Sequence, residues 1–188
     1  IAFNGYALSL ADFYDPRHRF VAPVQVRGPL AFNLLAVWAQ NANDGIRRKA
    51  ETGPLRKAIR RYQPFLATGD AVIAGDFNNH IYWDRPGWAI NHQNTIDDLD
   101  RLGLVSGYHA WHGVDCGDET HPTHYWRDRT KDGPTYHIDY IYLPRAWARQ
   151  MTEMSVGTFE DWCGNGLSDH VPLVLDIPDQ AASSNSRR

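Results

Sequence analysis

Apolar residues along this chain follow two patterns that are typical of β-strands. From Arg19 to Val26 they alternate with other residues, which predicts a strand with one buried face. Leu30–Trp38 is almost continuously apolar, as expected of a strand buried on both faces. The same patterns predict strands at Ile1–Leu10, Asp70–Ala74, Leu104–Trp111, Thr123–Trp126, His137–Leu143, Met151–Phe159 and Val171–Ile177.

Two segments have the spacing of amphipathic helices. Apolar residues recur every three or four positions over Leu55–Leu66, which predicts a helix with one buried stripe. The basic residues within Arg56–Arg61 are expected on its solvated face, although they could also contact a nucleic-acid backbone. Asn94–Leu102 predicts a shorter helix with Thr95 as candidate N-cap. Many strands with two helical segments predict a layered α+β protein with a β-sandwich core.

Composition narrows the class of protein. The 188 residues suit one domain, and 43% hydrophobic against 22% charged residues predicts a packed core. A formal net charge of −3 argues against a general nucleic-acid coat protein, which would be strongly basic. It leaves open an enzyme that cuts phosphodiesters, because such an enzyme must also release its product.

Cysteine content and the termini bear on the compartment. Cys116 and Cys163 are too far apart for a CxxC-type zinc site and suit either one disulfide or two free thiols. No apolar run approaches the roughly 20 residues of a membrane span, and no signal peptide is visible. The chain begins at Ile1 in strand-like sequence, so an N-terminal targeting signal could be missing. The compartment stays unassigned, with the cytoplasm favoured.

Polar, metal-competent side chains occur at the ends of three apolar segments. Asp76 and Asn78 follow the strand that ends at Gly75, where a carboxylate and an amide could orient a water and a phosphate oxygen. A plain Asx turn is the alternative. Asp139 lies within an apolar strand, where an unpaired carboxylate is costly unless the strand is an edge facing water. His170 follows Asp169 at the start of another strand; it could serve as an acid–base group or be a surface residue.

The strings GDFN, HIDYIY and SDH, in this order and spacing, resemble the catalytic segments of the endonuclease/exonuclease/phosphatase superfamily. That group includes deoxyribonuclease I-like nucleases, abasic-site endonucleases, inositol-polyphosphate phosphatases and sphingomyelinases. The resemblance implies a four-layer α/β/β/α sandwich in which two mainly antiparallel sheets pack face to face. The domain is expected to span residues 1–180, and residues 181–188 form a polar tail that is expected to be disordered.

The resemblance also implies catalytic roles. Asp76 would orient or deprotonate the attacking water, and Asn78 would hold the phosphate and the nucleophile. Asp139 would fix the tautomer of His170, following the logic of a His-Asp dyad. His170 would contact a non-bridging phosphate oxygen and stabilise developing charge.

Metal and substrate contacts are implied in the same way. Asp169 and Asp76 are the expected ligands of Mg²⁺ or Mn²⁺, because these ions prefer hard oxygen donors. Asn41 and Trp38 match a family strand end that contacts phosphate. Trp38 can donate only its indole N–H, and a core position is the favoured interpretation of it. His137, on the same predicted strand face as Asp139, is a third expected substrate contact.

The sequence departs from the family in one important respect. The family carries an Asn on its first strand and a metal-binding Glu about thirty residues later, typically in a QE pair. No QE pair exists here, and none of Glu51, Glu119, Glu153 and Glu160 follows an early strand. We therefore expect the N-terminal part of the fold, with its metal-binding Glu, to be missing from this chain.

Two further sets of side chains stay open to interpretation. His121 and His124 suggest a metal site, but nothing nearby in sequence completes one, so surface loop positions are favoured. Tyr82, Trp83 and Trp88 lie just after the first polar segment, where they could stack on a base or sugar or cap the sandwich.

Together these patterns predict a metal-dependent phosphodiester hydrolase, with an endonuclease or exonuclease acting on nucleic acid favoured. The alternatives are a phosphatase or phospholipase of the same superfamily, or a catalytically inactive fragment that lacks the metal-binding Glu. The expected partner is a phosphodiester substrate. No obligate protein partner and no transmembrane segment are expected.

Overall fold

The computed structural model describes residues 2–40, 47, 49–126 and 130–178, which form eleven strands and five α-helices. The strands are β1 (Ala2–Phe3), β2 (Tyr6–Leu10), β3 (Val21–Arg27), β4 (Phe32–Trp38), β5 (Ala71–Asp76), β6 (Leu104–Ser106), β7 (His124–Tyr125), β8 (Thr135–Tyr136), β9 (Asp139–Pro144), β10 (Glu153–Val156) and β11 (Leu173–Asp176). The helices are α1 (Gly53–Leu66), α2 (His92–Arg101), α3 (Gly107–His112), α4 (Arg145–Ala148) and α5 (Phe159–Trp162).

A seven-stranded sheet with the order β1-β2-β3-β4-β5-β9-β6 forms the scaffold. Its neighbouring strands pair antiparallel except β4 and β5, which run parallel and are joined by α1. A parallel pair needs such a crossover, whereas antiparallel neighbours can be joined by a tight turn. The carboxyl ends of β4 and β5 therefore lie side by side at the same end of these two central strands.

The two faces of this sheet have different coverings. One face packs against α1 and α2 through a core cluster that includes Leu35, Ile73, Tyr62 and Leu99, each at most 1% exposed. The other face packs against α4 and the antiparallel β10–β11 pair, with Leu143 and other apolar residues between them. A third, two-stranded sheet is formed by β7 and β8.

The mixed α+β class, with one sheet packed on another, is confirmed. In the described residues the second sheet consists of the two strands β10 and β11. One helical layer, the large sheet and this small sheet are present, and the four-layer arrangement stays a prediction. The tail at residues 181–188 lies outside the described residues, and Cys116 and Cys163 are free thiols. No helix among the described residues combines the length and apolar character needed to cross a membrane.

Both predicted helices are present, with two corrections. Thr95 is buried inside α2 and is not its cap. The Asp84 carboxylate instead accepts hydrogen bonds from the backbone N–H groups of His92 (2.6 Å) and Gln93 (3.0 Å) in the first turn of α2. Arg56 is also not on the solvated face of α1, because it is only 8% exposed and its Nε lies 2.6 Å from Asp98 of α2.

Two predicted strands end early and continue as helix. The segment predicted at Leu104–Trp111 forms β6 and then α3, whose C-cap is Gly113 with a left-handed φ of 65°. The segment predicted at Met151–Phe159 forms β10, and Phe159 begins α5. Both segments are short apolar runs, in which strand and helix cannot be distinguished by periodicity.

Candidate active site

Asp76 and Asp139 meet where β5 ends and β9 begins. They are register partners, and Trp38 at the end of β4 is the parallel partner of Asp76 on its other side. Side chains alternate between the faces of a strand, so Asp76 shares the face of Val72 and Ala74, which pack toward β10–β11. Asp139 shares that face with Ile141.

The type of cross-strand pair brings these two carboxylates close together. The Phe77 N–H donates to the Ile138 carbonyl at 2.9 Å, which makes Asp76 and Asp139 a non-hydrogen-bonded antiparallel pair. Facing side chains are closest in this class of pair. Two acidic groups therefore project from neighbouring strands at nearly the same point.

Gly75 makes this strand end possible. Its φ is +129°, and a Cβ built on it would lie 2.1 Å from the Val37 carbonyl oxygen of β4. Any side chain would therefore collide with backbone rather than with a movable group. The glycine of the GDFN string thus allows β4 and β5 to approach each other immediately before Asp76.

Asn78 holds the Asp76 carboxylate through two hydrogen bonds. The Asn78 backbone N–H donates to Asp76 Oδ1 at 2.7 Å, and Asn78 Nδ2 donates to Oδ2 at 2.6 Å. Asn78 has a left-handed φ of 46°, which Asn tolerates better than most residues. The two side chains thus meet through an Asx turn, the local structure that was the alternative interpretation of this segment.

His170 reaches the same place from a third segment of the chain. Its Nδ1 lies 2.8 Å from Asp139 Oδ2, so the carboxylate accepts the Nδ1–H and the Nε2 of the ring is left for another contact. The strand β9 lies between β5 and β6, so Asp139 is not on an edge strand. The carboxylate in this apolar strand is thus paired with His170 and is not an edge-strand residue facing water.

Electrostatics at this site favour a cation. Burial, followed by the negative charges of Asp139 and Asp169, raises the pKa of Asp76 to about 7 against the hydrogen bond from the Asn78 backbone. Burial lowers the pKa of the His170 imidazolium, but its hydrogen bond to Asp139 and the surrounding acidic charges outweigh this, so its net shift is upward. Asp76 and Asp169 supply the hard oxygen donors that Mg²⁺ or Mn²⁺ prefers, so the donor set fits such an ion.

His124 lies at the same place, against His170, although the sequence favoured a surface-loop position for it. It forms an isolated antiparallel bridge with His170, their ring centroids are 4.4 Å apart, and its Nε2 lies 3.8 Å from Asp169 Oδ2. Its side chain is 12% exposed, so the favoured surface-loop position for His124 is wrong. Nothing nearby in the sequence completed a site with His124, because its pairing partner is 46 positions later in the chain.

Comparison with solved structures identifies the fold. The chain superposes on the 3′ phosphatase NExo from Neisseria, bound to a product DNA hairpin, with a TM-score of 0.59 and 17% identity over 93% of this chain and 71% of that one. An AP endonuclease from Archaeoglobus fulgidus gives a TM-score of 0.60 and 16% identity over 90% and 70%. The endonuclease domain of TRAS1, a telomere-specific non-LTR retrotransposon, gives 0.53 and 14% over 93% and 81%. No protein-family model and no curated protein match the sequence.

The chain has the DNase I-like fold. This is the fold of the endonuclease/exonuclease/phosphatase superfamily, as the three sequence strings suggested. In this DNase I-like chain those strings bring Asp76, Asp139 and His170 together where β5 ends and β9 begins in the seven-stranded sheet.

The expected substrate contacts of this DNase I-like domain have different outcomes. Trp38 is 60% exposed, so its favoured interpretation as a core residue is wrong; its ring packs edge-on against Phe20 beside Asp76. Asn41 lies outside the described residues. His137 is only 4% exposed and its Nδ1 donates to the His121 carbonyl at 2.8 Å, so it is not placed to contact a substrate.

The alternation of faces fails at His137 for a local reason. The strand β9 begins only at Asp139, and the backbone N–H groups of Ile138 and Asp139 both donate to the Thr123 hydroxyl, at 3.0 and 3.1 Å. His137 therefore turns to the opposite side of the sheet, where its ring lies 4.4 Å from that of Tyr108.

A second polar cluster lies behind the GDFN segment and centres on Glu119, whose side chain is 3% exposed. Its carboxylate lies 3.1 Å from His80 Nε2 and 2.9 Å from His109 Nε2, and it accepts the Gly117 N–H at 2.8 Å. These hydrogen bonds outweigh burial and hold the pKa of Glu119 well below its usual range. Glu119 is therefore engaged in a structural network and is not a ligand of the candidate active site.

Proposed function

We propose that this chain is a metal-dependent phosphodiester hydrolase that cleaves nucleic acid by in-line attack of an activated water. The observation that supports this most is the convergence of Asp76, Asp139 and His170 from three separate chain segments. An Asx turn at the end of β5 would account for Asp76 and Asn78 alone. It would not require Asp139 and His170 to lie beside them. Their joint arrangement provides a base, an oriented imidazole and negative charge for a cation.

Asp76 is the candidate base. Its carboxylate is fixed by both hydrogen bonds from Asn78, and its raised pKa of about 7 suits a group that must accept a proton near neutral pH. In the proposed step the water oxygen forms a bond to phosphorus, the opposite P–O bond breaks, and the water proton passes to Asp76. The leaving oxygen is protonated from solvent.

His170 is the candidate phosphate contact. Because Asp139 accepts the Nδ1–H, the Nε2 of the His170 ring is directed away from Asp139. The raised pKa of His170 increases the fraction of rings that are protonated. A protonated Nε2 donates a hydrogen bond to a non-bridging phosphate oxygen and stabilises the charge that develops there. Asp139 acts through His170 and is a positioning residue.

Asp76 and Asp169 would hold the divalent cation, which when bound supplies positive charge to the phosphate oxygens. Asn78 would support this arrangement from the backbone turn by keeping the Asp76 carboxylate in one orientation. The negative charge of three acidic residues around the His170 imidazole suits such an ion.

Exposed aromatic side chains favour nucleic acid among the phosphodiesters. Trp38, Trp83 and Trp126 are 60%, 36% and 44% exposed, and Tyr136 lies within 5.0 Å of Trp83 by ring centroids. The Tyr136 ring is in turn stacked at 6.2 Å on His124, next to His170. Aromatic surfaces beside a phosphate site can stack on successive bases.

The proposal is tested by hydrolysis with the full chain and Mg²⁺ or Mn²⁺. The substrates are plasmid DNA, an abasic-site duplex, RNA, sphingomyelin, an inositol polyphosphate and a bis-aryl phosphate, with EDTA as one control. The variant Asp76→Asn removes the base, and Asp12→Asn on the exposed surface is the matched control.

We expect cleavage of a nucleic acid that is abolished by EDTA, reduced about 10²- to 10⁴-fold in Asp76→Asn and unchanged in Asp12→Asn. Turnover of sphingomyelin or the inositol phosphate alone would replace the nucleic-acid substrate with the phosphatase or phospholipase alternative. No hydrolysis by a chain that is folded by circular dichroism would favour the inactive fragment.

A further inference from the structure

The strand that carries His124 places an imidazole against His170, and the backbone explains why. The Tyr125 N–H donates to the Asp169 carbonyl and the Val171 N–H donates to the Thr123 carbonyl, both at 2.8 Å. These two bonds flank the pair formed by residues 124 and 170, so it is a non-hydrogen-bonded pair, the class with the closest side chains. Two imidazoles at one strand pair are thus built into the register.

A carboxylate completes this group. The ligand-competent atoms of His124, Asp169 and His170 all lie within 4.8 Å of one another. Three protein ligands at about 2.1 Å from a tetrahedral ion would be about 3.4 Å apart. His124 Nε2 and Asp169 Oδ2 are 3.8 Å apart, and rotation of the Asp169 side chain, which is 49% exposed, can shorten this distance without movement of the strands.

The orientation of His170 suits coordination. In the neutral ring the Nδ1–H is donated to Asp139, and Nε2 then has the lone pair that a metal ion requires. A carboxylate behind a metal-binding imidazole fixes the ring and raises its basicity. Within the part of the chain that the structure describes, the buried Nδ1 of His124 has no hydrogen-bond partner, and its Nε2 is 3.8 Å from Asp169 Oδ2, beyond hydrogen-bonding distance.

We propose that His124, Asp169 and His170 form a binding site for a divalent transition-metal ion of the Zn²⁺ class. Two nitrogens and one oxygen favour such ions over Mg²⁺, which prefers oxygen ligands throughout. An ion held there occupies His170 Nε2, the atom that the proposed function assigns to the phosphate. Zn²⁺ is therefore an inhibitor of the Mg²⁺-supported reaction, and this second part rests on the proposed function.

A second cluster of metal-competent side chains is less suited to binding such an ion. His80, Cys116 and Glu119 also lie within 4.8 Å by their ligand atoms. However, His80 Nδ1 accepts the Tyr82 N–H at 3.1 Å, so its Nε2 carries the proton that faces Glu119. A metal ion bound to His80 Nε2 would require the ring proton to be on Nδ1. That N–H would then face the Tyr82 N–H, and the hydrogen bond between them would be lost.

The binding test uses the full chain after treatment with EDTA and its removal, titrated with ZnCl₂ by calorimetry. His124→Phe keeps an aromatic ring against Tyr136 and removes both nitrogens. The matched control is His112→Phe, an exposed histidine of α3, and Cys116→Ser tests the other cluster. Circular dichroism and thermal melting establish that each variant is folded.

We expect Zn²⁺ affinity to fall at least about tenfold in His124→Phe and to be unchanged in His112→Phe and Cys116→Ser. Equal affinity in His124→Phe and the unsubstituted chain, loss only in Cys116→Ser, or no Zn²⁺ binding at all would overturn the proposal. Nitrogen-15 NMR of the unsubstituted chain gives the same answer without a substitution: Zn²⁺ must shift the ring nitrogens of His124 and His170.

The inhibition arm is measured separately. If the chain hydrolyses a substrate with Mg²⁺, added Zn²⁺ should inhibit it, and the inhibiting concentration should rise at least about tenfold in His124→Phe. Failure of hydrolysis refutes the proposed function and leaves the binding result unaffected. Zn²⁺ binding at His124 without inhibition refutes only the assignment of His170 to the phosphate.

Discussion

His170 Nδ1 lies 2.8 Å from Asp139, and Asp139 is the cross-strand partner of Asp76. One carboxylate thus acts on two neighbouring groups. It raises the pKa of the His170 imidazolium by hydrogen bonding and charge, and it also raises the pKa of Asp76 by repulsion. Replacement of Asp139 should therefore move both groups at once.

Asp139→Asn should lower the pKa of His170, because the change removes the charge that stabilises the imidazolium. We expect hydrolysis to fall about 10²- to 10⁴-fold and the high-pH limb of the rate profile to move to lower pH. The pH–rate profile and the NMR titration of His170 measure the two effects. Asp97→Asn, an exposed position on α2, is the control. A reduced rate with an unchanged His170 pKa would contradict the positioning role.

The stability of the metal-free chain should depend on pH through Asp76. Its pKa is raised from 3.8 to about 7 by burial and by Asp139, so its contribution is fully present below pH 3.8 and is lost as the pH rises through 7. In EDTA, the difference in free energy of unfolding between the chain and Asp76→Asn should change across this window. Mg²⁺ should restore stability at neutral pH, because it binds the folded state. A difference that does not vary with pH would refute this.

His92→Phe should stabilise the chain by about 1 kcal/mol near pH 7. His92 is fully buried, neither ring nitrogen has a partner within the described residues, and its ring stacks on that of Tyr140 at 5.0 Å. Phe keeps the stack and removes two unsatisfied polar atoms. Chemical denaturation measures the gain, and His80→Phe, which removes hydrogen-bonded nitrogens, should instead destabilise.

The same substitution should reduce sensitivity to acid. Burial lowers the pKa of His92 from 6.5 to about 3, so its contribution to stability is present above pH 6.5 and is lost as the pH falls through the folded value. In His92→Phe that part of the acid destabilisation should be absent. Melting temperatures of both chains between pH 7 and pH 4 test this, and parallel curves would refute it.

Glu119→Gln should destabilise the chain by about 2 kcal/mol. The carboxylate accepts hydrogen bonds from three directions, and an amide NH₂ would face one of those donors. Glu153→Gln, at an exposed position of β10, should be nearly neutral. If Glu119→Gln unfolds at the same denaturant concentration as the original chain, the network makes no net contribution.

Much of the site could be predicted because its residues lie in short, continuous strings. Asp76, Asn78, Asp139, Asp169 and His170 follow or begin apolar strands, and the order of the strings gave the fold. The strand β5 and helix α1 were predicted close to their observed bounds, because a helical stripe and a buried strand are local patterns.

The rest depends on pairings between distant segments. His124 gained its position from a bridge to His170, and Glu119 from contacts with His80 and His109. Nothing near these residues in the sequence encodes such partners. The prediction that His137 shares the face of Asp139 was wrong because His137 precedes the start of β9 by two residues, where the alternation of strand faces does not apply.

Because Asp76 and Asp139 must lie opposite each other, the site forms only when β5 and β9 pair in the native register. A slip of β9 by one residue would turn Asp139 to the opposite face and bring Tyr140 opposite Asp76. Chains trapped in such a misaligned state would contain the full set of residues and still lack the site. In a refolding experiment, the yield of the proposed metal-dependent hydrolysis per mole of protein would therefore measure the fraction of chains that have reached the native alignment.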